Sequence, residues 1–88
     1  MSRYSIQFTK RAEDDATRLD STVFVRVKGS IETKLIVDPF RFGKSLTYSL
    51  CHLRTLRVGD WRVIYKISET VVTIFTIRHR KQGYGDLS

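Results

Sequence analysis

Eighty-eight residues, 41% of them hydrophobic and 28% charged, suffice for one modest core and leave no room for two, so the chain reads as a single domain over residues 1–88. No apolar run reaches the roughly 18 residues that cross a bilayer, no apolar leader follows Met1, and a lone Cys51 forbids an internal disulfide, so a cytoplasmic protein is expected. The net charge of +7 is concentrated: between Arg41 and Lys81 nine Lys/Arg face two acids, Asp60 and Glu69, which points to a polyanion or an acidic protein as partner.

At the start of the chain Tyr4, Ile6 and Phe8 alternate with polar residues, the period of a half-buried strand. Thr9 suits a helix N-cap, with Glu13 and Asp14 near the positive end of the helix dipole, and Ala12, Ala16 and Leu19 give that helix a thin apolar stripe. Asp20-Ser21 breaks it and caps a second helix, where Val23, Val27, Ile31 and Leu35 recur at every fourth position and Phe24 widens the stripe. Its β-branched residues and Gly29 are poor helix formers, so tertiary packing must hold it. Asp38-Pro39 ends the helical part, and a loop containing Gly43 follows. Three strands are then predicted, over about 50–58, 61–67 and 71–79, joined by Gly59-Asp60 and by Ser68-Glu69-Thr70. The predicted fold is α+β with the order β-α-α-β-β-β, a helical hairpin packed on a mostly antiparallel four-stranded sheet. His52 and Cys51 read as structural residues, and with no Cys/His cluster in the sequence neither a metal nor another cofactor is expected.

The arginines acquire meaning from the hairpin. A two-residue turn at Gly59-Asp60 sets Val58 against Trp61, Arg57 against Arg62, Leu56 against Val63 and Arg54 against Tyr65. Side chains alternate across a sheet, so Leu56, Val58, Trp61, Val63, Tyr65 and Ile67 share the core face, while Thr55, Arg57, Arg62, Ile64 and Lys66 share the other. Two arginines directly opposed cost a sheet up to about 1 kcal/mol. A phosphate held between their planar forks would explain them, and so would two arginines fanned into solvent, where screening softens the repulsion. If Ser68-Glu69-Thr70 is a three-residue loop, Thr76 falls opposite Arg62, Arg78 and Arg80 join the basic face, and Phe75, Ile77 and His79 turn to the core. A two-residue loop reverses that parity, and both remain open on sequence. Beyond the last strand, Tyr84 between Gly83 and Gly85 suits either stacking on a nucleobase or lying back on the sheet edge, and the residues leave both open.

Two segments carry a family likeness. Leu56-Arg-Val-Gly-Asp-Trp-Arg-Val-Ile-Tyr65 resembles the hairpin of the RelE/ParE toxin superfamily, and His79-Arg80-Lys81-Gln82-Gly83-Tyr84 resembles its ending. Asp38-Pro39 with Gly43-Lys44-Ser45-Leu46 is similar to the loop before that hairpin, and with Tyr4-Ser-Ile-Gln-Phe-Thr9 the resemblance spans nearly the whole chain. It implies the same β-α-α-β-β-β fold and a RelE-type toxin that cuts messenger RNA on the ribosome, without a metal, by attack of the ribose 2′-hydroxyl on the adjacent phosphate. It also implies a partner antitoxin, RelB-like and acidic or amphipathic, which folds over the toxin. Residue by residue, the resemblance gives Arg62 phosphate binding and charge stabilisation, Arg80 a share of that role near the leaving group, and Tyr84 the positioning of a base with help in proton transfer. His79 matches a histidine that some relatives use for proton transfer, although the parity above turns it toward the core. The sheet geometry and the charge pattern add Arg57 and Arg54 as phosphate contacts, and Lys66, Arg78 and Lys81 are further candidates for that role. Where the prototype carries two lysines before the hairpin this chain has Leu53 and Thr55, which leaves that proton-handling group missing or replaced by Arg57 or Lys66. ParE-type relatives share the fold but inhibit DNA gyrase, and that alternative stays open, as does a weakened RNA-binding homologue.

Overall fold

The computed structural model describes residues 4–42, 44–45 and 53–82. Strand β1 (Ser5–Phe8) leads into helix α1 (Lys10–Arg18) and helix α2 (Ser21–Ser30), which widens into one π turn over Ile31–Leu35. A short helix α3 (Pro39–Phe42) and a two-residue strand β2 (Lys44–Ser45) precede β3 (Arg54–Val58), β4 (Trp61–Ser68) and β5 (Val71–His79), and Arg80–Gln82 closes with a 3₁₀ turn. The sheet runs β1-β5-β4-β3-β2, parallel between β1 and β5 and antiparallel elsewhere. The expected architecture is therefore present, with the two-residue β2 added at one edge. No helix among the described residues is long and apolar enough to cross a membrane.

Local chemistry explains the helices. Thr9 caps α1 by accepting from the Ala12 amide at 3.1 Å, and Asp20 caps α2 by accepting from Thr22 at 2.9 Å. The Val27–Ile31–Leu35 row is buried, and the widened turn keeps it in line, with the Ile36 amide donating to the Ile31 carbonyl at 3.1 Å. Phe24 does not widen this row as the sequence suggested: it is 40% exposed, because it sits about 100° round the helix from Val23 and the narrow row alone covers the sheet. Ala12, Val27, Ile31 and Leu35 from the helices meet Leu56, Val58, Val63, Tyr65, Val72, Ile74 and Ile77 from the sheet in one cluster.

The β3–β4 hairpin has the register the turn dictates, from Val58 against Trp61 to Arg54 against Tyr65. Gly59 makes that turn with φ +61°, and a Cβ there would also stand 3.1 Å from the Arg26 guanidinium. The β4–β5 connection is the short one: Ser68 pairs with Val71, leaving Glu69-Thr70 as the loop and Glu69 at φ +55°. A two-residue loop alone would reverse the parity of β5. A bulge between Ile64 and Tyr65, with Phe75 as the extra residue, reverses it again. Thr76 therefore pairs with Ile64 and not with Arg62, and Ile74 takes the core position expected of Phe75.

Candidate functional site

The face of the sheet opposite the core carries a row of like charges, bordered at β5 by helix α1. Arg57 on β3 pairs with Arg62 on β4, and Arg62 pairs in turn with Arg78 on β5. Adjacent strands lie about 4.8 Å apart, so neighbouring guanidiniums are within reach of one phosphate. Burial deepens along the row: Arg57 is exposed, Arg62 half-buried and Arg78 only 8% exposed. Beside it Ile64 (0%) and Thr76 (1%) form a buried floor, so this is not the open solvent face that the hairpin pattern implied.

The energetics run against a purely structural role. Each directly opposed like-charge pair costs up to about 1 kcal/mol, and burial reduces the screening that would soften it. The Nη1 of Arg62 is buried and has no hydrogen-bond partner among the described residues, and neither has the Oγ1 of Thr55 on the same face. A buried donor left unsatisfied costs about 1–3 kcal/mol, more on a charged group. An anion lying on the row would supply the missing acceptor and offset the repulsion.

The other candidates distribute unevenly. Lys66 shares the arginine face, opposite Thr73. Arg80 lies just past β5 beside the hairpin turn; its amide donates to the Asp60 carbonyl at 2.8 Å, and its Nε stands 3.8 Å from the Asp60 carboxylate. Lys81 is exposed, and its amide donates to Nδ1 of His79 at 3.3 Å. His79 pairs with Trp61 on the helix side of the sheet, ring edge to ring face at 5.1 Å, so the structure does not bring it to the arginines. Arg54 is also on the helix side: its Nη2 donates to the Phe40 carbonyl at 2.9 Å and its guanidinium lies over the Phe40 ring. There it joins Tyr65, whose hydroxyl donates to the Pro39 carbonyl at 2.6 Å, in fastening α3. Burial pushes the Tyr65 phenol above its usual range, against the opposing pull of Arg54. Tyr84, His52, Cys51 and, of the loop motif, Gly43 and Leu46 lie outside the described residues.

Sequence reasoning missed that Arg78 stands directly opposite Arg62, making a row of three. The sequence does not locate the bulge, because Val71, Val72, Ile74, Phe75 and Ile77 put apolar residues at both parities along β5.

A helical hairpin on one face of an open mixed sheet is a fold this chain shares with small toxins of toxin–antitoxin systems. The family model described as the ParE toxin of the type II toxin–antitoxin system parDE matches residues 6–84. Toxin RelG of Mycobacterium tuberculosis (strain ATCC 25618 / H37Rv) is 30% identical over 83 residues, 92% of this chain and 95% of that protein. In the toxin–antitoxin complex RelBE2 of M. tuberculosis, one chain matches with a TM-score of 0.83 at 30% identity, over 91% of this chain and 94% of that one. The free E. coli toxin RelE, in a mutant form, matches with a TM-score of 0.75 over 97% of this chain and 94% of its own, and at 22% identity this speaks for the fold alone. The chain belongs to the ParE toxin family of the RelE/ParE superfamily and is the toxin of a type II toxin–antitoxin system.

Proposed function

We propose that this toxin is an endoribonuclease that cuts messenger RNA on the ribosome. The observation that carries the reading is the Arg57–Arg62–Arg78 row, with a buried donor of Arg62 lacking an acceptor among the described residues. The RNA brings its own nucleophile. Its 2′-oxygen attacks the adjacent phosphorus, the bond to the 5′-oxygen breaks, and the products are a 2′,3′-cyclic phosphate and a 5′-hydroxyl. Such a reaction needs alignment and stabilisation of charge growing on the phosphoryl oxygens, for which a preorganised guanidinium is suited. Arg62 is assigned that role, with Arg57 and Arg78 gripping the backbone and Arg80 nearest the leaving oxygen. Lys66 and Lys81 would extend the electrostatic footprint, and Tyr84 would stack on a base. His79, packed on Trp61, is not assigned proton transfer, and Arg54 is assigned to the fold. An antitoxin, RelB-like and acidic or amphipathic, is the expected protein partner, in keeping with the toxin–antitoxin complexes among the structural matches.

A second reading, inhibition of DNA gyrase, is favoured by one observation, the ParE description of the matching family. Induced expression without antitoxin separates the two. Under the ribonuclease reading translation falls before DNA synthesis, and primer extension finds new mRNA 5′ ends inside translated codons. Fragments with cyclic phosphate ends support the scheme, and 3′-hydroxyl ends overturn it. Normal translation with blocked supercoiling assigns the protein to the gyrase inhibitors.

A further inference from the structure

Arg78 reaches the row through a bulge, and the bulge is held by a helix. Continued from Ser68–Val71 without the extra residue, the register would set Ile77 against Arg62 and Arg78 against Trp61, on the helix side of the sheet. The parallel partner β1 follows β5 only as far as Ile74, where the Thr9 amide donates to the Ile74 carbonyl at 3.0 Å. From there α1 takes over the edge. The Thr9 hydroxyl donates to the Phe75 carbonyl at 2.8 Å, and the Asp15 carboxylate accepts from the Thr76 hydroxyl at 2.5 Å and from the Ile77 amide at 3.1 Å. Four contacts thus fix four consecutive residues around the irregularity. Asp15 stands in for the strand that is missing there.

We propose that Asp15 is a positioning residue: with Thr9 it holds the β5 bulge and so brings Arg78 into line with Arg62 as a third phosphate-binding arginine, a role that rests on reading this face as the RNA-binding one. The carboxylate does not touch the RNA. It acts through the strand, by setting on which side of the sheet Arg78 emerges.

The test uses the full chain, a labelled single-stranded RNA oligonucleotide titrated at several salt concentrations, and cross-strand NOEs among residues 62, 77 and 78. Asp15→Asn, which keeps an acceptor oxygen, should retain the Arg62–Arg78 NOEs and near-parental binding. Asp15→Ala should lose that register and bind RNA roughly tenfold more weakly, with a salt slope shallower by about 0.7, the share of one phosphate on a single strand. Arg78→Ala should show the same loss with the register intact, and the double variant should be no weaker than either single one. Should Asp15→Ala fail to fold, Thr76→Val removes one of the two donors to Asp15 and should move register and binding the same way by less. Retention of the Arg62–Arg78 pairing in Asp15→Ala, parental binding by it, or losses that multiply in the double variant would each overturn the proposal. Arg62→Ala separates this from the broader reading. Weak binding there, with parental binding in Asp15→Ala and Arg78→Ala, removes only the positioning role; parental binding in all three removes the RNA-binding face.

Discussion

The two faces of this sheet are cut from the same strands, one residue out of step, and they follow opposite rules. On the helix side Val63, Tyr65, Val72 and Ile74 are fully buried, each apolar surface meeting another across the layer. On the far side Arg57, Arg62 and Arg78 meet like with like, and a buried nitrogen of Arg62 lacks an acceptor among the described residues. A residue on the first face lowers the free energy of folding. On the second, Ile64 and Thr76 are buried as well, but the opposed Arg57–Arg62 and Arg62–Arg78 pairs raise it, and a bound anion would offset them. Stability and activity should therefore separate cleanly along β4, position by position.

The largest effect expected is on activity. Arg62→Ala should cut mRNA cleavage by about 10²–10³-fold, the loss typical of removing one transition-state donor, while the melting temperature stays level or rises slightly as two like-charge contacts vanish. A melt several degrees lower would break the comparison, because Arg62 would then be holding the fold. Next comes Trp61→Ala, one residue earlier and on the other face. Half-buried against His79 and the core, it should cost about 2–3 kcal/mol in denaturant unfolding, short of the 3–5 for a fully enclosed ring. Cleavage per folded molecule should be retained.

Tyr65→Phe should cost about 1–2 kcal/mol at neutral pH, since the Pro39 carbonyl loses its donor. It also sharpens the comparison through pH. Burial holds the Tyr65 phenol above its usual value near 10.0, so the folded state keeps this proton longer than the unfolded one does. The stability that this contributes is fully present below pH 10 and is lost as pH rises through the raised value. Unfolding free energies measured from pH 8 upward should fall more steeply in the parent than in Tyr65→Phe, and parallel curves would exclude Tyr65 as the cause. The smallest effect lies off both faces. Glu69 adopts φ +55° in the β4–β5 turn, a region that disfavours side chains, so Glu69→Gly should gain about 0.5–1 kcal/mol by thermal melt.

How much was legible in the sequence followed the range of the forces involved. The β3–β4 register was, residue by residue, because Gly59-Asp60 fixes it locally and alternation does the rest. The β4–β5 register was not, because it depends on a bulge clamped by Thr9 and Asp15, more than 60 positions away in the chain. Arg54 looked like one more basic residue on a basic strand. Its parity with Tyr65 already put it on the helix side, but its partner, the Phe40 carbonyl, is a matter of tertiary packing. Phe24 shows the opposite error, an apolar residue read into a stripe that turned out narrower than the sequence allowed.

The parallel pairing of β1 with β5 has a consequence for biosynthesis. Ser5 waits for Val71, so the strand made first is among the last to find its place. The antiparallel β3–β4–β5 meander is made of local contacts and can close quickly, whereas the β1–β5 closure carries the entropy of a long loop. Arg78 lies within β5 itself, and the clamp that orients it comes from the beginning of the chain. The arginine row is therefore complete only once β5 has met both β4 and the clamp from the first helix, which makes it one of the last features of the fold to form.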